Sequence, residues 1–305
     1  MWFKALRIYQ ARTHQSWSTD SLEHALATKP FRACSSTEET TAGWVSPTNG
    51  SMLVHNQGNH WLLKLKIEER ILPASVVREQ LIEEIEALEA AENRRVGRKE
   101  RQNLSDEVRL SLLPKAFTRS RYVWVWLDSK NNRVMLDTTT DKQADLALNL
   151  LREGLGSLPV IPLSTQLAPV QVMTDWATQQ PPKDLELLDS CELRDAQDDK
   201  SIMRCRGQDL ASDEIQQLLA AGKRVTQLSL NWQNQLSFTL TDTLMLKSLK
   251  FAEELIEETK DANPDQDPLI ALDAEFILMS NTLVTLIDQL VSYHQGLSDN
   301  LQSDE

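Results

Sequence analysis

The chain has 305 residues, 41% hydrophobic and 25% charged, which suits a folded protein with a sizeable core and excludes a disordered or fibrous one. Its formal net charge of −13 excludes a surface that binds polyanions all over. A local basic face remains permitted, because fields are screened within about 8–10 Å at physiological salt. Cys34, Cys191 and Cys205 are dispersed and odd in number, which suits free thiols in a reducing compartment better than a disulfide framework. No run of about 18 uncharged apolar residues suggests a membrane span or membrane partner. Residues Met1–Arg7 lack the basic and apolar regions of a secretory signal, so a cytoplasmic location is expected.

In chain order, Trp2–Gln10 alternates imperfectly and predicts a strand, and Ser18-Thr19-Asp20 caps a short helix through Leu22 and Leu26. The segment from Gly43 to Gly50 reads as a turn-rich connection, and Trp61–Ile67 alternates as a half-buried strand. Pro73 then opens a helix, where proline is best tolerated. Val77, Leu81, Ile85 and Leu88 recur on one stripe of it, with glutamates on the other faces. A second helix is expected from near Ser105 to Pro114, making residues 73–113 a helical hairpin. Tyr122–Leu127 and Arg133–Asp137 follow as strands, then a helix from Ala144 to Leu151 stopped by Gly154 and Gly156, then the extended Leu158–Leu163. After Pro181-Pro182 the pattern repeats its mixture. Strands are expected at Leu185–Leu193 and Ile202–Arg206, a helix from Ser212 to Gly222, and a hairpin of Val225–Trp232 with Leu236–Leu240. A long amphipathic helix lies within Leu269–Leu297, and the tail from Ser298 reads as frayed. The fold class is therefore α+β with antiparallel sheets. An N-terminal α+β lobe (1–72 with 115–180) carries the hairpin (73–114) as an insertion, and residues 181–305 form a C-terminal α+β lobe.

The stretch Arg94-Arg95-Val96-Gly97-Arg98-Lys99-Glu100-Arg101 stands out in this acidic chain. On a continuous helix Arg94, Arg98 and Arg101 share a face, and Arg95 pairs with Lys99 on the adjoining strip. Gly97 weakens helix there by about 1 kcal/mol relative to alanine, which favours a tip where the chain reverses. Lys115, Arg119 and Arg121 add cations beyond the hairpin, and Arg204 and Arg206 alternate on a strand of the second half. A solvated helix end is the ordinary meaning of such a run. A cluster with only Glu100 mixed into it, at an apex, also suits phosphates, bound without regard to sequence. No segment resembles a recognition helix that reads base edges.

Catalytic motifs are missing from the sequence. The five histidines form no pair with metal-ligand spacing, and His55 and His60 read as parts of a solvated loop. Asp195, Asp198 and Asp199 are compatible with a metal-dependent nuclease, although a polar surface cluster is the commoner meaning. Phosphate-loop, dinucleotide and nucleophile-elbow signatures are lacking, so no enzyme, cofactor or metal is expected. Trp44, Trp61, Trp124, Trp126 and Trp232 read as core or interface packing. Phe117 is either an anchor in this chain's core or a knob for a partner subunit.

Beyond these features, the sequence resembles the bacterial recombination-associated RdgC family nearly end to end. The residues that carry the likeness include Trp2-Phe3-Lys4, Gly43-Trp44-Val45, Glu69-Arg70-Ile71-Leu72-Pro73, Asp106-Glu107-Val108 and Ser111 through Phe117. Later come Gly156-Ser157-Leu158-Pro159-Val160, Gln208-Asp209-Leu210, Gly222-Lys223, Val225-Thr226, Leu249-Lys250-Phe251 and Asp273 through Met279. The resemblance implies a nucleoid-associated protein that binds double-stranded DNA with little sequence preference. It implies a curved, multi-lobed subunit paired into a ring-shaped homodimer around the DNA, limiting a RecA-type recombinase without enzymatic activity. The hairpin then becomes a finger carrying Arg94, Arg95, Arg98 and Lys99, and Phe117 and Gln208 (with Arg206 beside it) fall at subunit junctions. Gly97 departs from the pattern, standing where the family admits another lysine. An adaptor whose hairpin docks an acidic protein is the alternative function.

Overall fold

The computed structural model describes residues 1–48, 50–195, 201–261 and 267–299. Strand β1 (Ala5–Ala11) leads into helix α1 (Thr19–Ala27). Ser18 and Ser21 close a reciprocal capping box there, satisfying two amides that the helix start would leave unbonded. Strands β2 (Thr40–Val45), β3 (Val54–Gln57) and β4 (His60–Ile71) follow. The expected turn at Gly43-Trp44-Val45 is thus strand. Its glycine serves a close approach, because a Cβ on Gly43 would sit 2.4 Å from the Phe31 Cα. The segment ending at Phe31 is bonded there through Trp44, whose amide donates to the Lys29 carbonyl at 2.9 Å. β4 is more buried than its alternation suggests, since Leu62, Leu63 and Leu65 are all fully enclosed.

Strand β5 (Phe117–Asp128) pairs antiparallel with β4 along their whole length, from His60 opposite Asp128 to Ile71 opposite Phe117. The connection between these two strands is the helical hairpin itself, α2 (Ala74–Glu92) and α3 (Arg98–Leu112), followed by a single 3₁₀ turn at Leu113–Lys115. Then come β6 (Arg133–Leu136), α4 (Asp141–Leu155), β7 (Val160–Pro162) and α5 (Pro169–Thr178). Gly154 does not stop α4. It lies within the helix, where a Cβ would meet the Ala25 carbonyl oxygen at 2.5 Å, and Gly156 ends the helix at φ +77°. Helix α5 has no sequence-level expectation behind it: with Val172, Met173, Thr174, Trp176 and Ala177 all buried, it shows no one-sided stripe.

The second half contributes β8 (Leu185–Asp195), β9 (Ile202–Arg206), α6 (Asp213–Ala220), β10 (Lys223–Trp232), β11 (Leu236–Thr241), β12 (Leu246–Phe251), α7 (Glu253–Asp261) and α8 (Pro268–Tyr293). All strands join one twelve-stranded sheet with the order β2-β4-β5-β6-β1-β12-β11-β10-β8-β9, β3 adding to β4 and β7 to β1. The halves meet where Ala5 and Leu6 of β1 pair with Lys247 and Leu246 of β12.

Two cores flank this sheet. The smaller lies under α1 and α4 and joins Leu22, Leu26 and Leu151 to Leu63, Val125 and Leu136. The larger runs across both halves on the opposite face, from Leu62, Trp126 and Leu6 to Leu246, Leu240 and Leu228, with α5, α6 and α8 packed on it. Phe276 of α8 meets Trp126 edge to face at 6.3 Å, and Asp288 of α8 pairs with Arg133 at 2.7 Å. The C-terminal helix therefore binds the N-terminal strands directly. By length and composition α8 is apolar enough to cross a membrane, although Asp273, Glu275 and Asp288 leave it without the uncharged run of about 18 residues that the sequence was searched for. Its apolar side nevertheless lies in the larger core, where Phe276, Met279, Leu283 and Leu286 are fully enclosed.

Candidate nucleic-acid interface

Hairpin geometry decides what the basic stretch can do. Asn93 ends α2 in the left-handed region (φ 49°), and Gly97 begins α3 in extended backbone (φ −73°, ψ 163°). Arg94 and Arg95 therefore lie in the connector rather than on a helix, and the expected shared face of Arg94, Arg98 and Arg101 does not form. The second helix starts at Arg98, not near Ser105, because the break falls at Asn93, a residue type that tolerates φ > 0.

Arg94 is occupied within the chain. Its guanidinium donates to Glu92 at 2.5 Å and, bidentately, to both Glu100 oxygens at 2.6 Å, so it clasps the end of one helix to the start of the next. That hydrogen bonding holds the Glu100 carboxyl below its ordinary range. Val96 N–H donates to Glu89 Oε1 at 2.8 Å and fixes the connector further. Arg95, Arg98, Lys99 and Arg101 are exposed and, among the described residues, form no salt bridge. Three of them crowd the first turn of α3, where the helix dipole disfavours cations and favours an anion. Both helices are mostly exposed, burying only Leu81 and Val108.

The remaining cations divide the same way. Arg119 and Arg121 share one carboxylate: Arg119 bonds Glu69 directly across the ladder, and Arg121 Nε lies 3.3 Å from the same oxygen. Lys115 is exposed and, among the described residues, forms no ion pair. Arg204 Nε is paired with Glu192 Oε2 at 2.9 Å, and Arg194 holds the other oxygen of that carboxylate at 3.0 Å. Arg206 is exposed and, among the described residues, lacks such a partner. Arg204 and Arg206 border a shallow concavity with Ser229, Thr239 and Lys247, on the face of β10–β12 that no helix covers. Lys247 escaped the sequence reading because β12 did. A second cleft at the β1–β12 junction gathers Lys4, Arg121 and Lys250 around Thr138, Thr139 and Thr140. Alternation across Leu249-Lys250-Phe251 is the signal that was available for β12. The hairpin root and β9 are not brought together: six strands separate β5 from β9, roughly 33 Å along the sheet.

Phe117 is 85% exposed and faces Ile71, itself 44% exposed, at the last pair of the β4–β5 ladder. Of the two meanings open in the sequence, the core anchor is ruled out within this chain. Gln208 is exposed just after β9, its amide donating to the Asp189 carbonyl at 3.2 Å.

His55 and His60, read as loop residues, instead lie on β3 and β4, His55 buried and His60 half-buried. His55 Nε2 lies 2.9 Å from Asp273 of α8, and Trp126 Nε1 donates to His60 Nδ1 at 3.1 Å. Burial lowers the proton affinity of both. Among the described residues no three His, Cys, Asp or Glu side chains converge as metal ligands, while Asp198 and Asp199 lie outside those residues. Trp44, Trp61, Trp126 and Trp232 are core, as expected, and Trp124 is partly covered, with Lys64 Nζ 4.7 Å above its ring.

The comparisons with known proteins agree with one another. A family model described as "Putative exonuclease, RdgC" matches residues 1–297. The recombination-associated protein RdgC of Pseudomonas aeruginosa (strain LESB58) is 43% identical over 294 residues, covering 95% of this chain and 96% of its own length. Its namesake in Pseudomonas fluorescens (strain SBW25) is 44% identical over 283 residues, covering 92% of each chain. That of Pseudomonas syringae pv. syringae (strain B728a) is 42% identical over 294 residues, covering 95% and 96%. With matches of this extent running through the hairpin, the sheet and the terminal helix, the chain belongs to the RdgC family of recombination-associated proteins.

Proposed function

We propose that this protein binds double-stranded DNA without sequence preference, through the cations of the hairpin tip and the uncovered sheet face. It does so as a ring-shaped homodimer around the duplex. Occupying the DNA in this way limits a RecA-type recombinase, and the protein is nucleoid-associated in the cytoplasm. The observation that carries the reading is the cluster Arg95, Arg98, Lys99 and Arg101, exposed and, among the described residues, without carboxylate partners in a chain of net charge −13. Phosphates supply the missing anion, and the acidic remainder faces away from the duplex. A two-fold dimer would double the cationic contribution of each finger. Phe117 with Ile71 offers an apolar contact for one junction, and Gln208 with Arg206 a polar one for the other.

The test is a salt series of duplex binding. Log affinity should fall linearly with log salt, and Arg98→Glu with Lys99→Glu should flatten the slope by about two. An unchanged slope would remove the finger from DNA contact. For the ring, covalent closure of both junctions should block loading on closed circular DNA while leaving entry from linear ends; equal loading would rule out encirclement. The description of the family model favours a second reading, an exonuclease. It requires Mg²⁺-dependent shortening of duplex ends that Asp198→Ala or Asp199→Ala abolishes.

A further inference from the structure

The cysteines, widely spaced in sequence, are not all apart in space. Cys191 of β8 and Cys205 of β9 stand directly opposite in the antiparallel ladder, and both are free thiols. Residues so placed have Cα atoms about 4.5–5.5 Å apart, within the roughly 4.4–6.8 Å that a disulfide spans. Their Cβ atoms leave the sheet on the same face. The two thiols are also close enough to interact with each other. Cys34 is elsewhere: it sits beside β4, its amide donating to Glu68 Oε1 at 2.8 Å.

We propose that Cys191 and Cys205 form an oxidation site that takes a peroxide and closes to an internal disulfide. The pair is asymmetric in the way such a reaction needs. Cys205 is half-buried on the edge strand, at the margin of the larger core, whereas Cys191 lies inside that core. Burial, with the Cys205 thiol beside it, pushes the Cys191 thiol up to about 12. Cys205 is therefore the sulfur that meets the oxidant, and Cys191 the one that resolves it.

In the first step the Cys205 thiol gives its proton to water and the thiolate attacks one oxygen of hydrogen peroxide. The O–O bond breaks, hydroxide leaves and takes up that proton as water, and Cys205 becomes a sulfenic acid. Cys191 then attacks the Cys205 sulfur as its own proton departs. The S–O bond breaks, and the departing hydroxide combines with the proton as a second water. Two thiols lose two electrons, and one peroxide gains them.

Location gives the bond a consequence. Among the described residues β9 is the last strand of the sheet and pairs with β8 alone. It carries Arg204 and Arg206 on either side of Cys205. A bond at Cys205 pins that edge and both arginines to β8. Disulfides placed directly across a ladder are readily reduced when their geometry is forced, so the closure is reversible by a thiol. None of this depends on what the arginines bind.

The full-length protein is treated with hydrogen peroxide, alkylated after unfolding, digested and examined by mass spectrometry. The expected product is a Cys191–Cys205 linked peptide two hydrogens lighter than its parts, with Cys34 still alkylated and both other thiols restored by dithiothreitol. Cys34→Ala should give the same linked peptide, and Cys205→Ser should give none. The proposal is overturned if the wild type and Cys34→Ala keep Cys191 alkylatable while Cys205 proceeds to sulfinic acid. It is equally overturned if the link formed joins Cys34 or two copies of the chain.

Discussion

The sheet and the helical hairpin treat their charges in opposite ways. In the sheet, five basic side chains meet a carboxylate set by strand register or helix packing: Arg119 and Arg121 meet Glu69, Arg194 and Arg204 meet Glu192, and Arg133 meets Asp288. At the hairpin tip, among the described residues, only Arg94 is so held and four neighbouring cations are not. The hydrophobic contrast is as sharp. Phe276, Trp126 and Leu62 are enclosed on the larger core, while the two hairpin helices bury one residue each. One region is thus organised around its own interior, and the other leaves its cations and most of its helical surface exposed.

The largest effect that separates the regions is on stability. Phe276→Ala removes the ring that joins α8 to Trp126 and should lower the unfolding free energy by about 3–5 kcal/mol, read from urea denaturation. No hairpin substitution should approach this; one that did would erase the contrast. Next comes a comparison within the tip. Arg98→Ala and Arg101→Ala should each lower the salt slope of duplex binding by about one, whereas Arg94→Ala should leave it unchanged and loosen the hairpin. Equal slopes for all three would mean that the Arg94 clasp gives way when DNA arrives.

Acid should act on the sheet rather than on the hairpin. His55 and His294 are buried and His60 is half-buried, and burial lowers the proton affinity of each in the folded state. The unfolded chain then binds more protons as pH falls through the ordinary histidine value near 6.5, so stability drops on going below it and is fully present above. Thermal unfolding between about pH 7.5 and 5 measures this, and His60→Gln should flatten the profile. A profile already flat in the wild type would contradict the sign. The smallest effect belongs to Gly97. Its φ is −73° and a Cβ there would touch nothing, so Gly97→Ala should be neutral or stabilise by about 0.4–1 kcal/mol.

Legibility followed the same division. Strands with alternation bounded by turns, such as Val225–Trp232 with Leu236–Leu240, were readable because one face is apolar and the other wet. Helix α1 was readable from Ser18, and α8 from its length and its apolar residues. Helix α5 and the strand character of Gly43–Val45 were not, since a segment buried on several sides loses the periodicity that announces it. At the tip, composition revealed the cations but not which one a carboxylate would capture. Glu92 and Glu100 reach Arg94 only because Asn93 reverses the backbone. The meeting of Cys191 with Cys205, and of His55 with Asp273, depends on pairings that no local pattern records.

The connection between β4 and β5 has one more consequence. Because a pair of helices stands in place of a turn, the strands it joins are indifferent to its length. Adding or deleting one helical turn in both α2 and α3 would shift the tip by about 5.4 Å while every ladder pair from His60–Asp128 to Ile71–Phe117 kept its partner. With α2 spanning 19 residues, or about 28 Å, the hairpin is a boom whose reach can be adjusted independently of the frame that carries it.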